Sequence, residues 1–133
     1  MIVDTIKYQP QENQLRTSQS LSSFLDEWRR AWESLDTEKY LSFYSKDFIN
    51  SEGMNYQRFK EHKERVNKSK KFIKLQIESK SFFISQKDGR GIAVLRINQD
   101  YSSDNFKSHT RKVLYLKEEQ GKWKIIGDVA LHS

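Results

Sequence analysis

The chain has 133 residues, 35% hydrophobic and 13% aromatic, with one proline, five glycines, no cysteine and a net charge of +6. That length fits one domain with its own core, to which the aromatic side chains must contribute much of the buried area. Disulfides and thiolate metal sites are excluded, as is a membrane-spanning helix, because no run of about 18 apolar residues occurs. The charge excess is local. Nine Lys/Arg against three Glu fall between Arg58 and Lys80, while the remainder balances at fifteen against fifteen. Such a run attracts anions or forms a solvated helix face. Stacking aromatics interleaved with the basic residues would mark nucleic-acid binding. Only Phe59 and Phe72 flank this run, so no nucleic-acid partner is expected.

Met1–Thr17 is polar and lacks helical periodicity, and residues 1–19 are read as a linker or extended N-terminal arm. Met1–Pro10 has neither the basic nor the apolar region of a signal peptide. The expectation is a cytosolic chain or a mature piece of a longer one. From Ser20, a candidate N-cap, Leu21, Phe24, Leu25, Trp28, Ala31, Trp32 and Leu35 recur at helical spacing, predicting a helix over 20–35. Asp36 is expected to cap a second helix carrying Tyr40, Leu41, Phe43, Tyr44 and Phe48 and ending near Asp47. Asn55 is expected to cap a third, running to Val66, with Tyr56, Phe59, His62 and Val66 along one side.

From Phe72 the period becomes two. Ile73, Leu75 and Ile77 alternate with polar residues, and a bulge is expected at Ser79-Lys80-Ser81. Asp88-Gly89-Arg90-Gly91 reads as a hairpin turn before a strand over 92–101. A further strand over 110–117 and a last one over 122–131 follow, separated by the turn Glu118-Glu119-Gln120-Gly121. Three helices followed by an antiparallel meander of about four long strands give an α+β layout, with the helices on one face of a curved sheet. Alternation places Ala93, Leu95, Ile97, Gln99 and Tyr101 on one strand face, and Lys112, Leu114 and Leu116 on one face of the next. Polar groups on an apolar face need partners or a cavity.

Two blocks carry a family resemblance. One is Trp28-Arg29-Arg30-Ala31-Trp32-Glu33-Ser34-Leu35-Asp36 with Tyr40-Leu41-Ser42-Phe43-Tyr44-Ser45-Lys46-Asp47-Phe48. The other is Gln99-Asp100-Tyr101-Ser102-Ser103-Asp104-Asn105-Phe106 with Arg111-Lys112-Val113-Leu114 and Gly121-Lys122-Trp123-Lys124-Ile125. They resemble the NTF2-like (SnoaL-like) cone fold, and within it the C-terminal NTF2-like domain of bacterial L,D-transpeptidase-type cell-shape proteins. The resemblance covers about residues 20–131 and implies an NTF2-like domain over 20–133. It also implies a cell-wall setting, periplasmic if the chain belongs to such an enzyme and cytoplasmic otherwise. The transpeptidase chemistry of those proteins uses a Cys nucleophile. A chain without cysteine cannot perform it.

In such a cone, Trp28, Trp32, Tyr44 and Tyr56 would line a cavity from the helices, and Gln99, Tyr101, Lys112 and Asp128 from the strands. Aromatic walls with a few polar groups suit a sugar or a peptide stem, with Lys112 pairing a ligand carboxylate. The bland alternative is an internal latch. Lys112 would then pair with Asp128 or Asp47, and the two tryptophans would be core. His62, His109 and His132 all fall off the inward strand face, and no His/Asp/Glu cluster has ligand spacing. The expectation is therefore a non-catalytic binding domain for a small polar or peptidoglycan-related ligand or a partner protein, without cofactor or metal. The alternatives are a small isomerase, dehydratase or cyclase with Asp128 or Asp47 as base, and a ligand-free dimerisation module. Ile92, Val94, Val113 and Tyr115 on the opposite sheet face predict a homodimer.

Overall fold

The computed structural model describes the backbone of residues 2–87 and 90–131, and side chains over 18–85 and 90–131. Of the expected Asp88–Gly91 turn, Asp88 and Gly89 lie outside the described residues, as does His132, whereas Arg90 and Gly91 already belong to the strand Arg90–Ser103. Helix α1 spans Ile2–Glu33. It thus starts far ahead of the Ser20 cap read from the sequence, and the stretch expected as an arm carries its first turns. Its buried stripe is Leu21, Phe24, Leu25, Trp28, Ala31 and Trp32. Leu35, with φ 62°, breaks the helix. Asp36 then caps the short helix α2 (Thr37–Leu41) by accepting from the Lys39 N–H at 3.1 Å.

The second helix stops earlier than expected, because Tyr44–Ile49 forms strand β1, parallel to the last strand. Tyr44 and Phe48 stand four apart, a spacing that both periods accommodate. The neighbouring backbone decides: the Ile125 N–H donates to the Phe43 carbonyl at 2.9 Å. Helix α3 (Tyr56–Lys68) is capped by Asn55, whose side chain accepts from the Arg58 N–H at 3.0 Å.

Strands β2 (Ile73–Lys87), β3 (Arg90–Ser103), β4 (Lys107–Glu119) and β5 (Lys122–Leu131) complete a curved five-stranded sheet in the order β1-β5-β4-β3-β2. The expected bulge falls between Ser79 and Ser81. Gln120 and Gly121, at φ 53° and 78°, form the two-residue connection of β4 to β5 that matches sheet twist. The β3–β4 corner is closed by the Ser103 N–H donating to the Phe106 carbonyl at 2.8 Å. It is tied to the α3–β2 connector by the Lys71 N–H donating to Asp104 Oδ1 at 3.0 Å and by a Lys70–Asn105 hydrogen bond.

An aromatic chain runs through the core. Trp28 meets Trp32 at 5.5 Å between ring centroids, Trp32 meets Tyr40 at 5.3 Å, Tyr40 meets Tyr44 at 5.1 Å, and Tyr44 meets Phe48 at 4.9 Å. Phe59 of α3 packs on Phe48 at 4.7 Å and so clamps this helix to the sheet. The Trp28 indole N–H donates to the Tyr44 hydroxyl at 3.2 Å, and the Tyr40 and Tyr44 hydroxyls bond at 2.6 Å. Burial pushes both phenols above their usual range. They remain neutral and the polar seam carries no charge.

Candidate functional site

Partners across a ladder share a sheet face. Gln99 lies opposite Thr110, Tyr101 opposite Ser108, and Ile97 opposite Lys112. Lys112 lies opposite Ala130, and Leu114 opposite Asp128. The register therefore gathers Gln99, Tyr101, Lys112 and Asp128 on the face covered by the helices. Above them, α3 presents Phe59, Lys63 and Val66 at i, i+4 and i+7, and α1 presents Trp32. These groups line an open-mouthed chamber of about 440 Å³, rimmed by the Asn50–Glu52 loop, His62, Lys70 and Phe106.

The chamber holds two ammonium groups against one indole. Lys63 Nζ lies 4.7 Å and Lys112 Nζ 5.5 Å from the Trp32 ring centroid, and Lys112 Nζ lies 5.6 Å from that of Trp28. These are cation–π distances. Burial pushes both lysines down from the usual range to about 8. The charge of Lys112 adds to the effect on Lys63, and the Asp128 carboxylate opposes it on both. Both residues are partly exposed at the chamber. Among the described residues neither lysine forms an ion pair. Gln99 is 6% exposed, and among the described residues its Oε1 accepts no hydrogen bond.

Of the residues expected to form the pocket, Trp32, Gln99, Tyr101, Lys112 and Asp128 line this chamber. Trp28 and Tyr44 sit behind its wall, at 0% and 5% exposure. Tyr56 lies outside it, half-buried, with Lys46 Nζ 4.1 Å over its ring. Asp47 caps no helix. It is an exposed residue of β1 whose carboxylate pairs with Lys117 at 2.8 Å. That pairing removes Asp47 both as a latch for Lys112 and as a base in the cone. Lys63 and the rim loop had no place in the expected pocket. The signal for Lys63 was its position between Phe59 and Val66 on the apolar side of α3. Among the described residues no three His, Cys, Asp or Glu side chains converge as metal ligands.

A larger groove, of about 980 Å³, crosses one end of strands β2, β3 and β4 beside Glu33, Asp100 and His109. His109 Nδ1 and Asp100 Oδ1 are hydrogen-bonded there, with side chains 59% and 58% exposed. Desolvated charges such as those of Lys63 and Lys112 respond more strongly to a ligand than the exposed His109–Asp100 pair, so the smaller chamber is the candidate site.

A family described as the Cds6 C-terminal NTF2-like domain matches residues 20–128. Among solved structures, Bd1075 of Bdellovibrio bacteriovorus is 29% identical, with a TM-score of 0.71 over 86% of this chain and 40% of that one. The helical cell shape determining protein Pgp2 of Campylobacter jejuni (a K307A mutant) is 26% identical, with a TM-score of 0.67 over 83% and 39% of the two chains. A cystatin-like domain of unknown function from Nostoc punctiforme is 14% identical, with a TM-score of 0.64 over 87% and 76%, a likeness of fold alone. The chain thus spans well under half the length of the first two. No curated protein matches the sequence significantly.

Proposed function

The chain belongs to the Cds6 C-terminal NTF2-like domain family, and we propose that within it this cone is a non-catalytic binding chamber for a small, polar, negatively charged ligand. One observation carries the reading: Lys63 and Lys112 share an aromatic chamber with Asp128, with Lys70 and Glu52 at its rim, and among the described residues neither Lys63 nor Lys112 is ion-paired. With both lysines charged, the chamber holds one positive charge in excess. Burying charge without a partner is costly, and an anionic ligand would remove that cost.

Likeness to a cell-shape protein supports a cell-wall setting, in which carboxylate-bearing peptidoglycan fragments are suitable ligands. The domain would then act beside a wall enzyme, in the periplasm. Among the described residues no helix is long and apolar enough to cross a membrane. A catalytic reading would need a base aligned on a substrate proton. Asp128 instead acts through its charge on two cations, Lys63 and Lys112, an arrangement that suits holding an ion.

Tryptophan fluorescence reports directly, because Trp28 and Trp32 flank the lysines. Titrating muropeptides is expected to give a saturable change. Lys112→Ala removes one charged contact, worth about 1.5–3 kcal/mol, and should weaken binding about tenfold or more. Tyr101→Phe should have a smaller effect. If both variants bind as the wild type does, the chamber is not the site.

A further inference from the structure

We propose that the chamber reads two groups at once, a free carboxylate and an N–H beside it, as presented by the C-terminal residue of a peptide. The inference rests on the binding reading above and names the ligand chemistry within it.

The polar groups divide into two kinds. Lys63 and Lys112 only donate hydrogen bonds, whereas the Gln99 carbonyl oxygen and the Asp128 carboxylate only accept. An anion without donors, such as sulfate or an ionised dicarboxylate, would satisfy the lysines. It would also set acceptor against acceptor at Gln99 Oε1, which is buried and has no hydrogen-bond partner among the described residues. A neutral sugar would offer hydroxyls to all four groups but leave the charge excess in place. Only a ligand with a negative acceptor and a neighbouring donor satisfies both sides.

Strand register fixes the spacing. Gln99 faces Thr110, and Lys112 follows two residues along the same face of β4. Gln99 and Lys112 are therefore diagonal neighbours, roughly 7–8 Å apart at the backbone. Asp128 stands diagonally across from Lys112 on β5. Lys63 approaches from α3 on the other side, against the same Trp32 indole as Lys112. An amide N–H on Gln99 Oε1 and the carboxylate one residue unit away, between the lysines, fit these positions. The carbon skeleton then lies toward Trp32 and Tyr101.

Three probes separate the two contacts, in both chiral forms: acetyl-alanyl-alanine, its C-terminal amide, and acetyl-alanyl-lactate, in which an ester oxygen replaces the terminal N–H. Binding is read from tryptophan fluorescence and indole NMR shifts at pH 7. The acid probe is expected to bind at least about tenfold tighter than either analogue, because a buried polar group left unpaired penalises the wrong ligand. Gln99→Leu should erase the preference for the N–H probe over the ester and keep the preference for acid over amide. Lys63→Met and Lys112→Met, checked for folding by thermal unfolding, should each weaken the acid probe.

Equal binding of the ester and the N–H probe to the wild type would overturn the two-group proposal. So would muropeptide binding with no response to the acid probe. Both results leave the anion chamber standing. Acid-probe binding that survives both lysine substitutions, or a chamber silent to the muropeptide and to every probe, would instead remove the chamber reading itself.

Discussion

Lys63 and Lys112 hold the most consequential charges in the molecule, and their protonation couples to folding. In an unfolded chain a lysine titrates near 10.4, whereas in the fold both are pushed down to about 8. Between those values the unfolded chain binds more protons, so stability rises as pH climbs from about 8 to about 10. Below about 8 the full cost of keeping two buried ammoniums is present. Lys112→Met removes one of them. Its midpoint in thermal unfolding should exceed the wild type's at pH 7, and the gap should narrow by pH 10. A gap independent of pH would mean that Lys112 is not desolvated. The same shifts set the pH dependence of ligand binding. A bound carboxylate favours the charged lysines, so affinity should hold below about pH 8 and fall above it.

Helix α3 is the element that converts a cone into a site, because it delivers Lys63 and carries Phe59 into the aromatic core. Its start depends on Asn55, whose side chain satisfies the Arg58 N–H. Asn55→Ala should cost about 1 kcal/mol in denaturant unfolding and weaken ligand binding in step as Lys63 loses its fixed position. Unchanged stability would show that the helix is anchored by packing alone. The cap itself was legible in the sequence, as were the sheet's inward row and the bulge between Ser79 and Ser81, because alternation and cap chemistry are local signals. Strand β1 was not. Tyr44 and Phe48 fit a helical stripe as well as a strand, and their fate depends on β5, some eighty residues later. Lys63 was also missed. A lysine amid Phe59 and Val66 resembles an ordinary surface cation until the sheet beneath it is known. Gln99, Tyr101 and Lys112 were visible as polar interruptions of an apolar face, which needs only the period of two.

Two surfaces organise the whole molecule. The concave one is the chamber. The other crosses the sheet on its outer side as a cross-strand row of Phe83, Val94, Tyr115, Gly127 and Ile49. Phe83, Ile49 and Tyr115 in it are 65%, 57% and 37% exposed, and Ile92 and Val129 beside it are 51% and 40% exposed. Val113 shares this face but is itself buried. An apolar band of this kind favours self-association. Light scattering at rising concentration is expected to reveal a dimer that Tyr115→Glu disperses, and a wild type that stays monomeric throughout would refute it. The chamber claim is tested most directly by where a ligand is felt. The chain has three tryptophans. Trp28 and Trp32 flank the lysines, whereas Trp123 is buried beside the β4–β5 turn, outside the chamber. In an indole NMR titration with a muropeptide at pH 7, the account predicts saturable shifts of Trp28 and Trp32 and a stationary Trp123. Shifts confined to Trp123, or none at saturating ligand, would contradict it.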